Sequence, residues 1–142
     1  MQKIHGRQRN FLGITFIELV LTIGILAILS VAAVTSFTSY VRKGRRIDAV
    51  NTLLGISLAQ ERYRSNNTTY GTLAQVWSGV TTTSEGYYTL AISNVTGTTY
   101  TLTATAQGNQ ASDTANGVSC TTLTLAVSNT TVTKTPTACW PS

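Results

Sequence analysis

Few residues of this chain could do chemistry, and their placement narrows what that chemistry is. Beyond Glu18, the acids are Asp48, Glu61, Glu85 and Asp113, scattered along the chain, and the one histidine is His5. The two cysteines are Cys120 and Cys139. Zinc sites take four Cys or His ligands at short spacings, and no CxxC pair or second histidine exists to supply them, so no metal is expected. The cysteines read as a disulfide, as two free thiols, or least well as half of a zinc site. No nucleophile with a base beside it and no phosphate-cradling Gly loop stands out, so neither catalysis nor a cofactor is expected. Glu18 is the exception. It stands just inside a long apolar segment, where a carboxylate is costly and is by default a functional residue.

The element that must position Glu18 is the run that follows it. From Leu19 to Val41 there is no Asp, Glu, Lys, Arg, His or Pro, and about 20 apolar residues suffice to cross a bilayer core as one helix. Ahead of it, residues 1–13 form a polar leader with Lys3, Arg7 and Arg9. These are three of the ten basic residues in the 142-residue chain, whose formal charge is +5. The remainder holds seven basic and five acidic residues, net +2, a balance that does not demand a nucleic-acid partner. A secretory signal would have a shorter apolar region and a small-x-small site after it, which is not the pattern here. Arg42, Lys43, Arg45 and Arg46 flank the other end of the run, so charge alone does not orient it in a membrane. That cluster reads as a solvated collar, with an anionic-lipid contact or a nucleic-acid patch as alternatives.

A basic leader ending in Gly13, followed by Ile14-Thr15-Phe16-Ile17-Glu18-Leu19, resembles the class III signal of the type IV pilin family. The segment Gln60 to Tyr70 also resembles the stretch that closes the long helix of such pilins. The resemblance implies cleavage between Gly13 and Ile14 by a prepilin peptidase, which also methylates the new amino terminus at Ile14. It implies that the leader faces the cytoplasm and the body faces outward. Glu18 would then pair with the α-amino group of Ile14 of a neighbouring subunit, since one step out of register leaves both charges buried and unpaired. A carboxylate snorkelling to the headgroups is the plainer reading. Gly24, Ala27, Ser30, Ala32 and Ala33 would let such helices approach closely. Many family members carry a Pro where this chain has Thr35, so the helix is expected to keep its hydrogen bond there. In an oxidising compartment Cys120 and Cys139 are expected to pair, as in the carboxy-terminal disulfide loop of the family, closing roughly 20 residues and contributing about 3 kcal/mol.

The rest of the chain supplies a head. Ile47, Val50, Leu54 and Leu58, widened by Leu53, mark a buried face that continues the helix to Arg64. Ser65 to Gly71 are turn residues, and a loop runs to Gly86 with a short helical turn near Leu73 to Trp77. Trp77 more often pins such a loop than makes an outside contact. From Tyr87 the period becomes two. Tyr88, Leu90 and Ile92, then Tyr100, Leu102 and Ala104, then Leu123, Leu125 and Val127 face one way, with Thr-rich positions opposite. Asn94 to Thr98 reads as a hairpin turn, Gln107 to Gly117 as a longer loop, Cys120 as part of the third strand, and Val132 to Thr135 as a short fourth strand. The expected fold is α+β, a pilin fold: one long N-terminal helix, membrane-spanning in its first half, packed on an antiparallel sheet of three or four strands. The expected organisation is a leader at 1–13, a transmembrane and assembly helix at 14–41, and a head at 42–142. The head divides into an amphipathic helix at 42–64, a loop at 65–86, a sheet at 87–135 and a disulfide-closed region at 120–139.

The function expected from the resemblance is that of a structural subunit of a type IV pilus, major or minor, supporting adhesion, twitching motility or DNA uptake. Its partners would be other pilin subunits, the prepilin peptidase, the assembly platform of the inner membrane and, before assembly, the membrane itself. It would be a single-pass inner-membrane precursor with its head in the periplasm, and a cell-surface pilus component after assembly. A type II secretion pseudopilin is one alternative, although Asp113 alone could not hold the calcium such proteins bind. A DNA-binding uptake pilin is the other. It needs a basic stripe on the head, where Arg62, Arg64 and Lys134 are available.

Overall fold

The computed structural model describes residues 13–141, and for residues 31–36 it describes the backbone but not the side chains. The leader expected at 1–13 lies, Gly13 apart, outside the described residues. The chain divides into two compact units, Met1–Phe37 and Thr38–Ser142.

Helix α1 spans Phe16–Arg64, 49 residues, starting two residues after Ile14. Thr15 begins it: its Oγ1 accepts the Glu18 N–H at 3.3 Å, which satisfies one of the free donors at the helix start. Glu18 also places a negative charge in the first turn, where the helix dipole favours it. The backbone is helical through Thr35, as the absence of Pro predicts. Among the described residues no helix is long and apolar enough to cross a membrane. The side chains of 31–36, in the middle of the expected span, lie outside that description. In the first unit every described side chain is exposed, including Phe16, Ile17, Leu21, Ile28 and Leu29.

The second unit is α+β. A four-stranded antiparallel sheet has the order β1 (Tyr88–Ser93), β2 (Thr99–Ala106), β5 (Thr122–Ser128), β6 (Thr131–Thr135). Between β2 and β5 the chain forms a 3-10 turn at Gly108–Ser112 and a small hairpin, β3 (Thr114–Ala115) with β4 (Val118–Ser119). The stretch 107–117, expected as a plain loop, is therefore structured. Cys120 falls between β4 and β5 rather than within a strand, and a second 3-10 turn, Thr137–Cys139, carries its partner. The strand alternation holds. Tyr88, Leu90, Tyr100, Leu102, Ala104, Leu123, Leu125 and Val127 are buried, while Thr positions between them face away.

The sheet's apolar face covers α1, but on a face rotated from the one expected. Arg46, Ala49, Val50, Leu53, Ile56 and Gln60 are buried, whereas Ile47, Leu54 and Leu58 are exposed, Leu58 at 62%. The helix carries two apolar stripes, and one sheet can cover only one of them. The chosen face admits Ala49 and gives its polar members, Arg46 and Gln60, partners inside. Gln60 accepts the Gly71 N–H at 2.8 Å and donates to the Gly71 carbonyl at 2.6 Å. Arg64 closes the top of the unit. Its Nε donates to Gly97 O at 2.8 Å and its Nη1 to Asn67 O at 2.6 Å.

The segment between α1 and β1 packs back on the helix. The one-turn helix α2 (Leu73–Val76) leads to Trp77, whose ring lies where a Cβ on Gly55 would approach it to 3.2 Å. Thr81 to Thr83 then covers the outer edge of β1. Leu90 N donates to Thr81 O at 2.7 Å and Thr83 N to Tyr88 O at 3.0 Å. β6, at the other edge, is exposed throughout. Its Lys134 side chain supplies charge there, as edge strands often do.

Candidate functional site

The most concentrated polar chemistry lies where α1 meets the β2–β5 connection. The face of α1 that holds Ala49, Val50 and Leu53 places Arg46 one turn earlier, beneath the 3-10 turn and the β3–β4 hairpin. Its Nη1 is 3.1 Å from Asp113 Oδ2 and 2.9 Å from Cys120 Sγ. Burial pushes the Asp113 carboxyl above its ordinary range, against the Arg46 and Arg42 guanidiniums and the Thr114 N–H, which pull it down. Gln110, also buried, donates through Nε2 to Arg42 O and to Tyr88 Oη, each at 3.0 Å. Its Oε1 has no hydrogen-bond partner among the described residues. Burial likewise pushes the Tyr88 phenol upward, with the Gln110 bond opposing it.

This cluster locks the disulfide region to the helix. Cys120 and Cys139 are bridged, with Cα atoms 5.7 Å apart, and both are buried. The sequence offers Asp113 only as a calcium ligand, and Arg46 only as part of a basic cluster that reads as a collar, a lipid contact or a nucleic-acid patch. The pairing spans 67 residues, and its one signal in the sequence was that Arg46 falls in phase with Ala49, Val50 and Leu53. Among the described residues no group of His, Cys, Asp or Glu could hold a metal ion.

The three cations named for a DNA-binding stripe have different surroundings. Lys134 is exposed on β6, with its Nζ 5.4 Å from the centre of the Trp140 ring. Arg64 clamps the Gly97 turn, and Arg62 is exposed near the end of α1. Arg62 lines a shallow cavity of about 240 Å³ with Ala59, Tyr63, Gln75 and Val76.

The outward flank of α1 forms a second feature. Tyr40, Ile47, Leu54 and Leu58 are exposed at helical spacing. The sequence placed three of these in the core. Their position instead leaves an apolar stripe along the head's helix, on the side away from the sheet. At the other end of α1, Ile14 and Glu18 are both exposed.

Comparison with known proteins addresses the head directly. No curated protein matches the chain. The model of the family described as type IV minor pilin ComP, DNA uptake sequence receptor, matches residues 35–124. That match begins beyond the Gly13–Leu19 motif and takes in the second half of α1, the β1–β2 hairpin and the Arg46–Asp113 lock, so the head and the N-terminal motif point the same way from separate stretches. Covering more than half of the 142-residue chain, the match places this protein in the type IV minor pilin family of ComP.

Proposed function

We propose that the chain is a minor subunit of a type IV pilus, inserted in the inner membrane before assembly and polymerised through α1, and that it takes part in DNA uptake at the cell surface. The observation that carries the assembly reading is the unpartnered apolar flank of α1. Exposed Ile47, Leu54 and Leu58 on a helix whose opposite face is fully covered need a partner of the same character. A bundle of α1 helices from other pilin subunits supplies it. The uncharged run from Leu19 to Val41 is read as the membrane segment of the precursor, and later as the part of α1 that lies among its neighbours.

In this reading prepilin peptidase cuts between Gly13 and Ile14 and methylates Ile14. The charged amino group at Ile14 then meets Glu18 of an adjacent subunit. Within one subunit the Glu18 backbone N–H is held by Thr15 Oγ1, and its exposed carboxylate is left for that pairing. The DNA-uptake role rests on the family description and on Lys134, the cation carried by the open edge strand.

Two measurements test this. Mass spectrometry of sheared surface filaments should find a trace peptide beginning at methylated Ile14, as a minor subunit requires. Surface filaments without it, with cell-bound protein still starting at Met1, would defeat the polymerising reading. For DNA, a gel shift at low salt that weakens on Lys134→Ala supports uptake by direct contact. No shift by the intact chain would remove direct binding and leave a structural minor pilin.

A further inference from the structure

Four basic residues follow the uncharged run within five positions: Arg42, Lys43, Arg45 and Arg46. The structure separates one of them from the rest. Arg46 turns inward to Asp113, the one salt bridge among the described residues. The other three form no salt bridge among the described residues, although Arg42 lies near enough to Asp113 to help hold its carboxyl down. Arg42 Nη1 reaches the Ser112 carbonyl at 3.3 Å, and the Arg45 guanidinium lies 3.7 Å over the Tyr87 ring. A carbonyl and an aromatic face orient a cation without neutralising it. Lys43 is exposed. The nearest acid along the helix, Asp48, accepts from the Ser84 hydroxyl at 3.0 Å.

We infer that Arg42, Lys43 and Arg45 form a binding site for the phosphates of anionic phospholipid headgroups, engaged while the subunit is held in the membrane. This rests on the membrane-inserted reading given above. At a rise of 1.5 Å per residue, Arg42 to Arg45 covers only about 4.5 Å of helix directly beyond the last uncharged residue, Val41. That is headgroup depth if the run is embedded. Tyr40, 76% exposed, and the half-buried Tyr87 add phenols at the same level, the residue type that settles at membrane interfaces. Guanidiniums held by Ser112 and Tyr87 are pre-oriented for a phosphate, so little side-chain freedom is lost on binding. DNA is the poorer occupant here. A duplex reaching these groups before assembly would have to lie against the same anionic lipid surface that repels it.

The consequence is a membrane-held state with a lipid preference, which the subunit gives up when it leaves for the filament. The test uses the full chain reconstituted in phosphatidylcholine bilayers carrying spin-labelled phosphatidylglycerol or spin-labelled phosphatidylcholine as probe. Electron paramagnetic resonance reads the motion-restricted fraction of each. The expected result is a several-fold preference for phosphatidylglycerol, shrinking as salt is raised. Lys43→Gln, at an exposed position, should lower the preference without touching the fold. Arg42→Gln with Lys43→Gln and Arg45→Gln should abolish it. Equal restriction of both probes by the unaltered chain overturns the inference, as does a preference that survives the triple replacement. A triple variant that loses a DNA gel shift while its lipid preference stays would assign the collar to DNA instead. If neither probe is restricted at all, the chain is not in the bilayer, and the membrane reading fails together with the collar.

Discussion

Replacing Arg46 by Met tests how the disulfide region is held to the helix. The side chains of Arg46 and Asp113 are 9% and 3% exposed, and their closest atoms are 3.1 Å apart. Removing one member of a buried pair strands the other and costs about 3–5 kcal/mol, whereas replacing both by apolar residues of similar volume is often neutral. Arg46→Met should therefore cost about 3 kcal/mol at neutral pH, a large part of the 5–15 kcal/mol typical of a folded domain. Arg46→Met with Asp113→Leu should recover most of it. The pH dependence has a definite sign. The folded-state pKa of Asp113 is raised by burial and lowered by Arg46, so losing Arg46 raises it further. A group whose folded pKa lies above its unfolded value, about 3.9 for Asp, binds more protons when folded, and stability falls as pH rises through that window. The variant's window extends higher, so its deficit should be largest at pH 7 and should shrink as pH falls toward 4. Urea unfolding of the detergent-solubilised full chain at pH 7.5 and pH 4.5 measures both quantities. A cost under about 1 kcal/mol, a deficit independent of pH, or a double variant no better than the single would refute the argument that this pair is a buried lock.

Three other outcomes are expected. Gly71→Ala would put a Cβ 2.7 Å from Val76 Cγ1 and 3.1 Å from Tyr63 Cδ1. Overpacking of this kind costs about 1–3 kcal/mol and should lower the melting temperature, with proteolysis appearing first between α1 and β1. Breaking the Cys120–Cys139 bridge, which spans 19 residues, by Cys139→Ser with Cys120→Ser should cost about 3 kcal/mol, read as a lower urea midpoint than that of the oxidised chain. The phenols of Tyr88, Tyr100 and Tyr70 are pushed up, in each case chiefly by burial. Their neutral forms therefore favour the folded state, and stability should decline as pH rises above about 10, the unfolded value. A Tyr100→Phe chain should show a shallower alkaline decline in the same titration. Its lost bond to Ser57 Oγ, 2.8 Å in the intact chain, should cost about 1 kcal/mol at neutral pH.

The elements were legible because each depends on a short-range pattern. The absence of charge and Pro marked a continuous α1, and the absence of Pro at Thr35 kept its backbone helical. Alternation placed β1, β2 and β5 and chose their buried sides correctly, because a strand has only two faces and one of them was Thr-rich. A helix has no such binary choice. Two apolar stripes on α1 were each compatible with burial, and hydrophobicity ranked Ile47, Leu54 and Leu58 above Arg46, Ala49 and Gln60. That ranking omits partners far along the chain. Arg46 can be buried only because Asp113 is there, and Gln60 only because Gly71 presents both backbone groups.

For function the division falls in the same place. The order Gly13, Ile14 and Glu18 carries the expected processing and registration signal, which is local in sequence and needs no fold to be read. Cysteine count and the expected compartment carried the disulfide. The tertiary structure alone decided which cations are available to a partner. It removed Arg46 into the interior and tied Arg64 to the Gly97 turn. It also left Arg42, Lys43 and Arg45, at the start of the head, without a salt bridge among the described residues. The physical reason is that a charge is neutralised by what stands within a few ångströms, and residues 67 positions apart become neighbours only when the chain has folded.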